Sequence, residues 1–476
     1  MKRILRVLFL AAAILLVVLL MVSLVLRSLF RDYAPEYNQP LAGPASPSAA
    51  SPPPDAPVTR GMWPERSEQD DRALVLVAIS GGGTRAAAVG WQALEAMRDV
   101  PYRFKNAAGE TVRSNLANEV DLIAGISGGS FAATAWCLGQ EEMLRFRKKF
   151  IERDIQSELM RSFFNLKGVR ALFSDRYSRI NWAAELYDRE VFDGKTFAAL
   201  PARPLLRLHA TNLALGQRFT FTPETFAALA SDLSSYRLGY ACAASSAFPI
   251  LLNPMTLRNY PPPLDFTRDL AYQADKLNVR EDLHKDLQVR IRDYYNDKRN
   301  AYLHLADGGL VDNQGLQSIL DEFETNGLIN RRINFTAPSL QRLIIININA
   351  GVAPPSTSGQ SAAPPGVFSV VESTMVSSMD VLSERRWMDI KSQCRDLMSA
   401  KIDVGTETAS YKDLEEPYRI EISFRNIKDP DDFREAMVLP TSFKLTPDQW
   451  SRIDRIVPVL LKEDPEFQRL NQALGN

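Results

Sequence analysis

The chain has 476 residues, and its 56 Lys+Arg against 57 Asp+Glu leave a formal net charge of -1 at pH 7. This balance creates no overall basic field, so the composition gives no reason to expect a nucleic-acid partner. Three cysteines and three histidines are too few and too scattered for a disulfide framework or a zinc site, and no acidic calcium loop occurs, so we expect no metal and no other cofactor.

Residues 1–32 have the pattern of a membrane anchor. Residues 7–26 are apolar apart from Ser23, and a helix of that length spans about 30 Å, the thickness of a bilayer's hydrocarbon core. A cleaved signal peptide is the alternative, but the apolar run is too long and no clear cleavage site follows it. Slightly more basic residues precede the run than follow it, which predicts a cytoplasmic N-terminus and an extracytoplasmic (periplasmic or luminal) location for the rest of the chain.

The composition divides the rest of the chain into three parts. Residues 33–70 are rich in Pro, Ala and Ser, which predicts an extended linker. Residues 71–350 are expected to form the main domain, with a charged insertion at about 256–300. Residues 351–476 are expected to be a C-terminal extension packed on the same domain.

Short apolar runs in the main domain alternate with longer amphipathic segments. The runs are residues 73–79, 121–126, 205–213, 302–306 and 342–348. Buried strands that alternate with helices predict an α/β fold with a mostly parallel sheet covered on both faces. In the extension, the sequence Thr-Pro-Asp-Gln at 446–449 predicts a helix start, with Thr446 as the N-cap and the helix ending near residue 461.

A glycine-rich loop follows the first of these strands. Residues 80–85 read Ser-Gly-Gly-Gly-Thr-Arg and precede a predicted helix, so the backbone N–H groups lie at the positive end of the helix dipole. Such a loop can bind a developing oxyanion or a phosphate. An ordinary strand–helix turn is one alternative, and a nucleotide-binding loop is another, although neither of the usual nucleotide-loop patterns is present.

A G-x-S-x-G sequence at residues 125–129 follows a second apolar strand and also precedes a helix. Glycines on both sides of Ser127 permit the strained turn of a nucleophile elbow, which exposes the serine at the helix N-terminus. The motif is weak by itself, but the strand–turn–helix context favours a nucleophile.

A serine nucleophile needs a base, and this chain has few histidines to offer. No histidine follows His304, so a triad in the order Ser127, Asp307, His cannot form, although one with an earlier acid and His304 stays open. We expect His209, within a strand, and His284, in a charged segment, to be structural or solvated. The sequence Asp307-Gly308-Gly309 ends another strand, where an ordinary turn is the alternative reading.

Five segments in order resemble the patatin-like phospholipases, and more distantly the group-four cytosolic phospholipases, over about residues 74–350. They are the Gly-Gly-Gly-x-Arg loop at 81–85, the elbow, Ala210-Thr211-Asn212, the Ala-Ser-x-Ala-x-Pro match within 243–249, and the Asp-Gly-Gly triplet. Many patatins have glycine where this chain has Ala86. The N-terminal anchor and residues beyond about 351 lie outside the resemblance.

The resemblance implies a fold and a set of residue roles. The fold would be a three-layer α/β/α sandwich, here preceded by one transmembrane helix. Ser127 would be the nucleophile and Asp307 would accept its proton directly. Gly82 and Gly83 would form the oxyanion hole, with structural support from further glycines: Gly125, Gly128, Gly129, Gly308 and Gly309.

The implied activity is hydrolysis of lipid acyl esters at a membrane surface, of the phospholipase or lysophospholipase kind. Arg85 would contact a lipid phosphate, or instead form an ion pair with a surface carboxylate. The alternative function is a catalytically silent relative that binds a lipid or a protein while keeping the fold.

Overall fold

The computed structural model describes residues 2–31, 33, 35–41, 69–161, 166–249, 251–261, 293–297, 299–324, 327–334, 339–352, 362, 364–403 and 413–475. The strands, in chain order, are β1 (Gln39–Pro40), β2 (Ala73–Ile79), β3 (Pro101–Lys105), β4 (Thr111–Asn115), β5 (Val120–Ile126), β6 (Leu205–Asn212), β7 (Gln217–Thr220), β8 (Ser231–Asp232), β9 (Met255–Arg258), β10 (Tyr302–Asp307), β11 (Arg342–Asn349) and β12 (Tyr418–Ser423).

The α-helices are α1 (Lys2–Phe30), α2 (Gly83–Arg98), α3 (Gly128–Leu138), α4 (Gln140–Phe146), α5 (Ile155–Arg161), α6 (Leu166–Phe173), α7 (Arg179–Leu186), α8 (Pro223–Ala228), α9 (Leu238–Ser245), α10 (Gly309–Asp312), α11 (Leu316–Asp321), α12 (Leu328–Asn334), α13 (Val367–Asp403), α14 (Pro430–Met437), α15 (Pro447–Glu463) and α16 (Pro465–Ala473).

The main sheet is mixed. Its order is β12-β11-β2-β5-β6-β10-β9, with β7 also paired to β6. The strands from β12 to β6 are mutually parallel, as predicted, but β7 and β10 run antiparallel to β6, and β9 runs antiparallel to β10. The tight turn between β6 and β7, with Gly216 at φ 63°, allows only antiparallel pairing because a parallel pair needs a long crossover.

Helices cover both faces of this sheet. Alternate residues of a strand point to opposite faces, and in β2 Val75 and Val77 enter one apolar core while Leu74 and Leu76 enter the other. Helices α2, α3 and α15 contribute to the first core, and α11 and α13 to the second. A strand buried on both sides is apolar along its whole length, which is why the sequence of β2 is a continuous apolar run.

The C-terminal extension is built into the main domain. Strand β12 pairs in parallel with β11, and Trp450 of α15 lies edge-on to Trp91 of α2, with 5.5 Å between the ring centroids. The predicted helix start at Thr446 is confirmed, because the Thr446 hydroxyl accepts from the Gln449 N–H and the Gln449 side chain accepts from the Thr446 N–H. The strand β12 was not predicted.

The N-terminal region differs from the prediction in two respects. In the described part of the chain, no helix combines the length and the hydropathy of a membrane span, so the predicted transmembrane helix at about residues 7–26 is not supported. Residues 35–41, predicted as linker, instead pack on the domain: β1 pairs with β8, and the Asn38 side chain donates to the Arg258 carbonyl at 2.8 Å. Residues 42–68 lie outside the described part.

The predicted insertion at about 256–300 begins inside strand β9, because residues 256–258 pair with β10. These three residues therefore belong to the sheet. Residues 262–292 and residues 353–361 of the predicted loop after β11 lie outside the described residues.

Candidate active site

Ser127 lies on a strained turn between β5 and α3. Its backbone has φ 48° and ψ −123°, a region that costs a residue other than glycine about 1–3 kcal/mol. The Ser127 N–H donates to the Ser245 hydroxyl at 2.9 Å, and the Ser130 hydroxyl donates to the Ser127 carbonyl at 2.5 Å. These bonds hold the backbone of the turn at Ser127.

Glycines let the start of α3 approach the sheet closely. A Cβ on Gly129 would lie 2.5 Å from the Ser80 carbonyl oxygen, and one on Gly125 would lie 2.8 Å from Ala133 Cβ. Neither distance is tolerable for a real side chain. The glycines of the motif are therefore needed for packing at the elbow.

Strand register brings Asp307 to the level of Ser127. Ile126 of β5 pairs with His209 of β6, and the next β6 residue, Ala210, pairs with Asp307 of β10. Ser127 and Asp307 thus flank β6 at adjacent positions, and the Ser127 hydroxyl lies close enough to the Asp307 carboxyl group to lower its pKa.

The Asp307 carboxylate is 2% exposed, and the Gly309 N–H donates to its Oδ1 atom at 2.7 Å. Burial raises the pKa of Asp307 to about 7. The Gly309 N–H and the Ser127 hydroxyl lower this pKa, but they offset only part of the effect of burial. A carboxylate with such a pKa can accept a proton near neutral pH.

The end of α9 and the residues that follow it form hydrogen bonds with the backbone at Ser127 and at Asp307. The Ser245 hydroxyl accepts a hydrogen bond from the Ser127 N–H, and the Ser245 carbonyl accepts one from the Gly308 N–H at 3.0 Å. The Asp307 N–H donates to the Ala247 carbonyl at 2.9 Å. This is the physical reason for small residues in the Ala-Ser-x-Ala sequence, which lies between the two strands that carry the site.

The glycine-rich loop contacts the elbow directly. A Cβ on Gly81 would lie 3.2 Å from Ser127 Cβ, and one on Gly128 would lie 1.8 Å from the Gly83 carbonyl oxygen. Gly82 and Gly83 have φ of 137° and 61°, values that favour glycine. Within the described part of the chain, neither of their N–H groups has a hydrogen-bond acceptor, so both are available to an oxyanion.

Arg85 is buried, so the predicted ion pair with a surface carboxylate is wrong. The residue is 3% exposed, and its guanidinium donates to the carbonyls of Ala350 at 2.9 Å and Leu439 at 2.7 Å. Burial lowers the pKa of Arg85 to about 10. Its role in the described structure is to join the glycine-rich loop to β11 and the C-terminal extension; contact with a lipid phosphate stays a prediction.

We expect Arg85→Lys to lower the free energy of unfolding by about 1.5–3 kcal/mol, because a lysine cannot donate to both carbonyls and hydrogen bonds from charged groups have this magnitude. Chemical denaturation would measure the loss. Arg434→Lys is the matched control, since Arg434 lies on the surface with its side chain 74% exposed. Unchanged stability together with a higher KM for phospholipid alone would instead indicate the phosphate role.

The rings of the two described histidines form hydrogen bonds with groups other than Ser127. His209 is fully buried and its ring contacts the hydroxyls of Thr220 and Ser318, which agrees with the predicted structural role. His304 is exposed and its Nδ1 lies 3.0 Å from the Thr256 hydroxyl. His284 lies outside the described residues.

Sequence reasoning missed several contacts of the site. The Asn313 carbonyl accepts the Gly81 N–H at 2.8 Å, the Ser442 carbonyl accepts the Thr84 N–H at 2.9 Å, and Met379 Cε lies 2.7 Å from a Cβ placed on Gly309. Ser442 and Met379 belong to the extension, and no local pattern marks them. Among the described residues, no group of three His, Cys, Asp or Glu side chains could hold a metal ion.

Comparison with known proteins gives a family match. Residues 77–320, just over half of the chain, match the family model described as patatin-like phospholipase. No curated protein matches the sequence.

Two solved structures of a human protein, GIVD cytosolic phospholipase A2, match this chain over 85% of its length. The structure in complex with methyl gamma-linolenyl fluorophosphonate has 10% identity and a TM-score of 0.39, covering 85% of this chain and 59% of that chain. The other has 13% identity and a TM-score of 0.41, covering 85% and 60%. The present chain thus spans about three fifths of those two chains.

Proposed function

The chain belongs to the patatin-like phospholipase family, and we propose that it is a serine acyl hydrolase that cleaves lipid acyl esters with Ser127 and Asp307. One observation carries the proposal: the Ser127 hydroxyl, held on a strained elbow, lies close to a buried carboxyl group whose pKa is raised to about 7. Phospholipids and lysophospholipids are the proposed substrate class.

In the first half of the reaction, Asp307 accepts the hydroxyl proton as Ser127 Oγ attacks the ester carbonyl. The proton then passes to the leaving alcohol as the ester bond breaks, leaving an acyl group on Ser127. In the second half, Asp307 takes a proton from water, which attacks the acyl-enzyme carbonyl. The proton then passes to Ser127 Oγ as the acyl bond breaks and the fatty acid leaves, which restores the serine hydroxyl and the free carboxylate. A buried base is effective here because desolvation of the carboxylate raises its basicity.

Gly82 and Gly83 are the proposed oxyanion hole. Their N–H groups lie at the start of α2, beside the elbow, where the helix dipole also favours negative charge. Donors fixed before the reaction stabilise the tetrahedral intermediate without reorganisation, and one such donor contributes about 10²–10³ in rate.

The rate is expected to depend on ionisation of Asp307. Since a protonated carboxyl cannot accept a proton, kcat/KM for a soluble ester should fall about tenfold per pH unit below about 7. A pH–rate profile measures this, and a flat profile from about pH 5 to 8 would exclude Asp307 as the base. A histidine base would give a similar slope, so His304→Gln is measured beside the wild type and should keep its activity.

The proposal is tested by hydrolysis and by trapping the nucleophile. The full chain is assayed with a short-chain chromogenic ester and with a panel of phospholipids and lysophospholipids. It is also incubated with a fluorophosphonate, which a serine nucleophile attacks with loss of fluoride. We expect ester cleavage and a phosphonyl adduct on Ser127, located by peptide mass spectrometry. If no ester is cleaved and no adduct forms, the alternative of a silent binding protein replaces the proposal.

We also propose that α1 holds the chain at a membrane, with the domain on the extracytoplasmic side. The exposed large apolar side chains between residues 14 and 29 are 49–67% exposed, and water solvates such a surface poorly. Arg27 and Arg31 lie 3.6 Å from the Asp175 carboxylate and join the end of α1 to the domain. Recovery of the full chain in the soluble fraction of cells would refute membrane attachment. Protease applied to the extracytoplasmic face of sealed membranes should digest the domain, and digestion from the cytoplasmic face instead would refute the proposed side.

A further inference from the structure

The first turns of α13 form an exposed surface with little charge. Residues 367–378 contain a single ionisable residue, Glu372. Three valines in this segment, Val367, Val370 and Val371, share one side of the helix and are 44–79% exposed. Exposed apolar groups on neighbouring turns of one helix mark an interaction surface. We call residues 367–378 the apolar segment.

The residues of α13 that follow the apolar segment are fixed to the loop that carries Asp307. Met379 is buried, and its methyl group contacts Gly309, two residues after the catalytic carboxylate. Arg386 forms an ion pair with the buried Asp312 at 3.3 Å and donates to the Gln317 side chain at 3.2 Å. One helix therefore joins an exposed apolar surface to the active-site loop.

Two further exposed apolar side chains lie on elements that contact the site from other directions. Leu251 is 48% exposed and follows Ala247, whose carbonyl accepts the Asp307 N–H. Val438 is 56% exposed and precedes Leu439, whose carbonyl accepts from Arg85. Exposed apolar side chains therefore occur on three separate parts of the chain that contain contacts to the site.

We propose that the apolar segment of α13 docks on an uncharged phospholipid surface and so holds the active site against its substrate. The proposal rests on the proposed function, because a lipid ester must leave a bilayer to reach Ser127. A surface with almost no charge complements zwitterionic headgroups and buries apolar groups at the acyl boundary. Because no ion pairs are involved, binding by this segment is expected to be insensitive to salt.

The first experiment places a reporter in the apolar segment of the full chain. Val371→Cys is labelled with an environment-sensitive fluorophore; the natural cysteines are buried and compete poorly for the label. Val459→Cys on α15 is the matched control, because Val459 is similarly exposed at 47%. On addition of phosphatidylcholine vesicles we expect a blue shift at position 371 and none at 459, unchanged by salt. No shift at 371 would overturn the proposal, even if α1 holds the chain on the vesicle.

The second experiment separates docking from chemistry. Val370→Asp combined with Val371→Asp is expected to lower hydrolysis of phosphatidylcholine in vesicles about tenfold or more, because charge opposes burial at the interface. Hydrolysis of a soluble short-chain ester should change less than about twofold, since neither valine is part of the proposed dyad or oxyanion hole. Equal loss of both activities would indicate a structural role and overturn the proposal.

Two other outcomes are also decisive. If the wild type cleaves neither substrate, the proposed function fails, while the label at position 371 still tests docking by itself. If light scattering shows that the wild type is a dimer and the double variant a monomer, the apolar segment binds a second copy of the chain and the lipid proposal is wrong.

Discussion

Replacing Asp307 with asparagine is expected to remove ester hydrolysis and, at the same time, to stabilise the folded chain at alkaline pH. The activity should fall by about 10²–10⁴ in kcat, the usual contribution of a general base. Asparagine keeps the size of the side chain and can still accept the Gly309 N–H, but it cannot take the Ser127 proton.

The stability gain follows from the raised pKa. Asp307 ionises at a pKa of about 7 in the folded chain, against 3.8 for an ordinary aspartate. Between these values the folded chain binds the proton more tightly, so the wild type loses stability as the pH rises through this range, in total about 4 kcal/mol. Asparagine does not ionise, so the stability of the variant relative to the wild type should be greatest above about pH 7, and the difference should be absent below about pH 4.

Urea unfolding at about pH 5 and pH 8 measures the stability effect, and a chromogenic ester measures activity. Asp188→Asn is the matched control, because Asp188 is also buried, has a pKa raised by burial and carries an ion pair with Arg237. It should keep the wild-type kcat. An Asp307→Asn variant that is inactive but less stable at every pH would indicate a structural role for the carboxylate.

Gly128→Ala is expected to lower kcat by at least about 10²-fold, the contribution of one oxyanion donor. The added Cβ would lie 1.8 Å from the Gly83 carbonyl oxygen, a contact that no side chain can make. Because the Gly83 oxygen belongs to the backbone and a Cβ is fixed by its own backbone, the glycine-rich loop or the elbow must shift, and the Gly83 N–H moves from the place where the oxyanion forms.

Steady-state hydrolysis, fluorophosphonate labelling and thermal unfolding would be measured together on this variant. Gly109→Ala is its control: Gly109 has φ 80° but open space around it, so alanine should cost about 1 kcal/mol of stability and leave kcat unchanged. If Gly128→Ala folds and keeps full activity, the Gly83 N–H does not serve as an oxyanion donor.

The proposed mechanism and the proposed docking surface meet at one loop. Gly309 donates its N–H to the Asp307 carboxylate and also contacts Met379 of α13. The same helix carries the apolar segment, so a helix in contact with lipid would also contact, through Met379, the glycine that donates to the Asp307 carboxylate. The sequence motifs do not reveal this arrangement, because α13 lies outside residues 77–320, which match the family model.

The strands that carry the site could be predicted from the sequence alone. Strand β2 was predicted at its observed bounds, and β5, β6, β10 and β11 differ by one residue at most at either end, because strands buried on both faces are continuous apolar runs. The elbow, the glycine-rich loop and the Asp-Gly-Gly triplet were likewise visible, since glycine is needed where backbones approach closely. The helix start at Thr446 followed from local capping alone.

Features that depend on contacts between residues far apart in sequence could be found only in the folded structure. The antiparallel direction of β10 and the membership of β12 in the sheet depend on pairing between segments far apart in sequence, which no local pattern encodes. The burial of Arg85 depends on carbonyls at Ala350 and Leu439, more than 260 residues away. The raised pKa of Asp307 is likewise a property of the assembled core, because desolvation requires every element around the carboxylate to be in place.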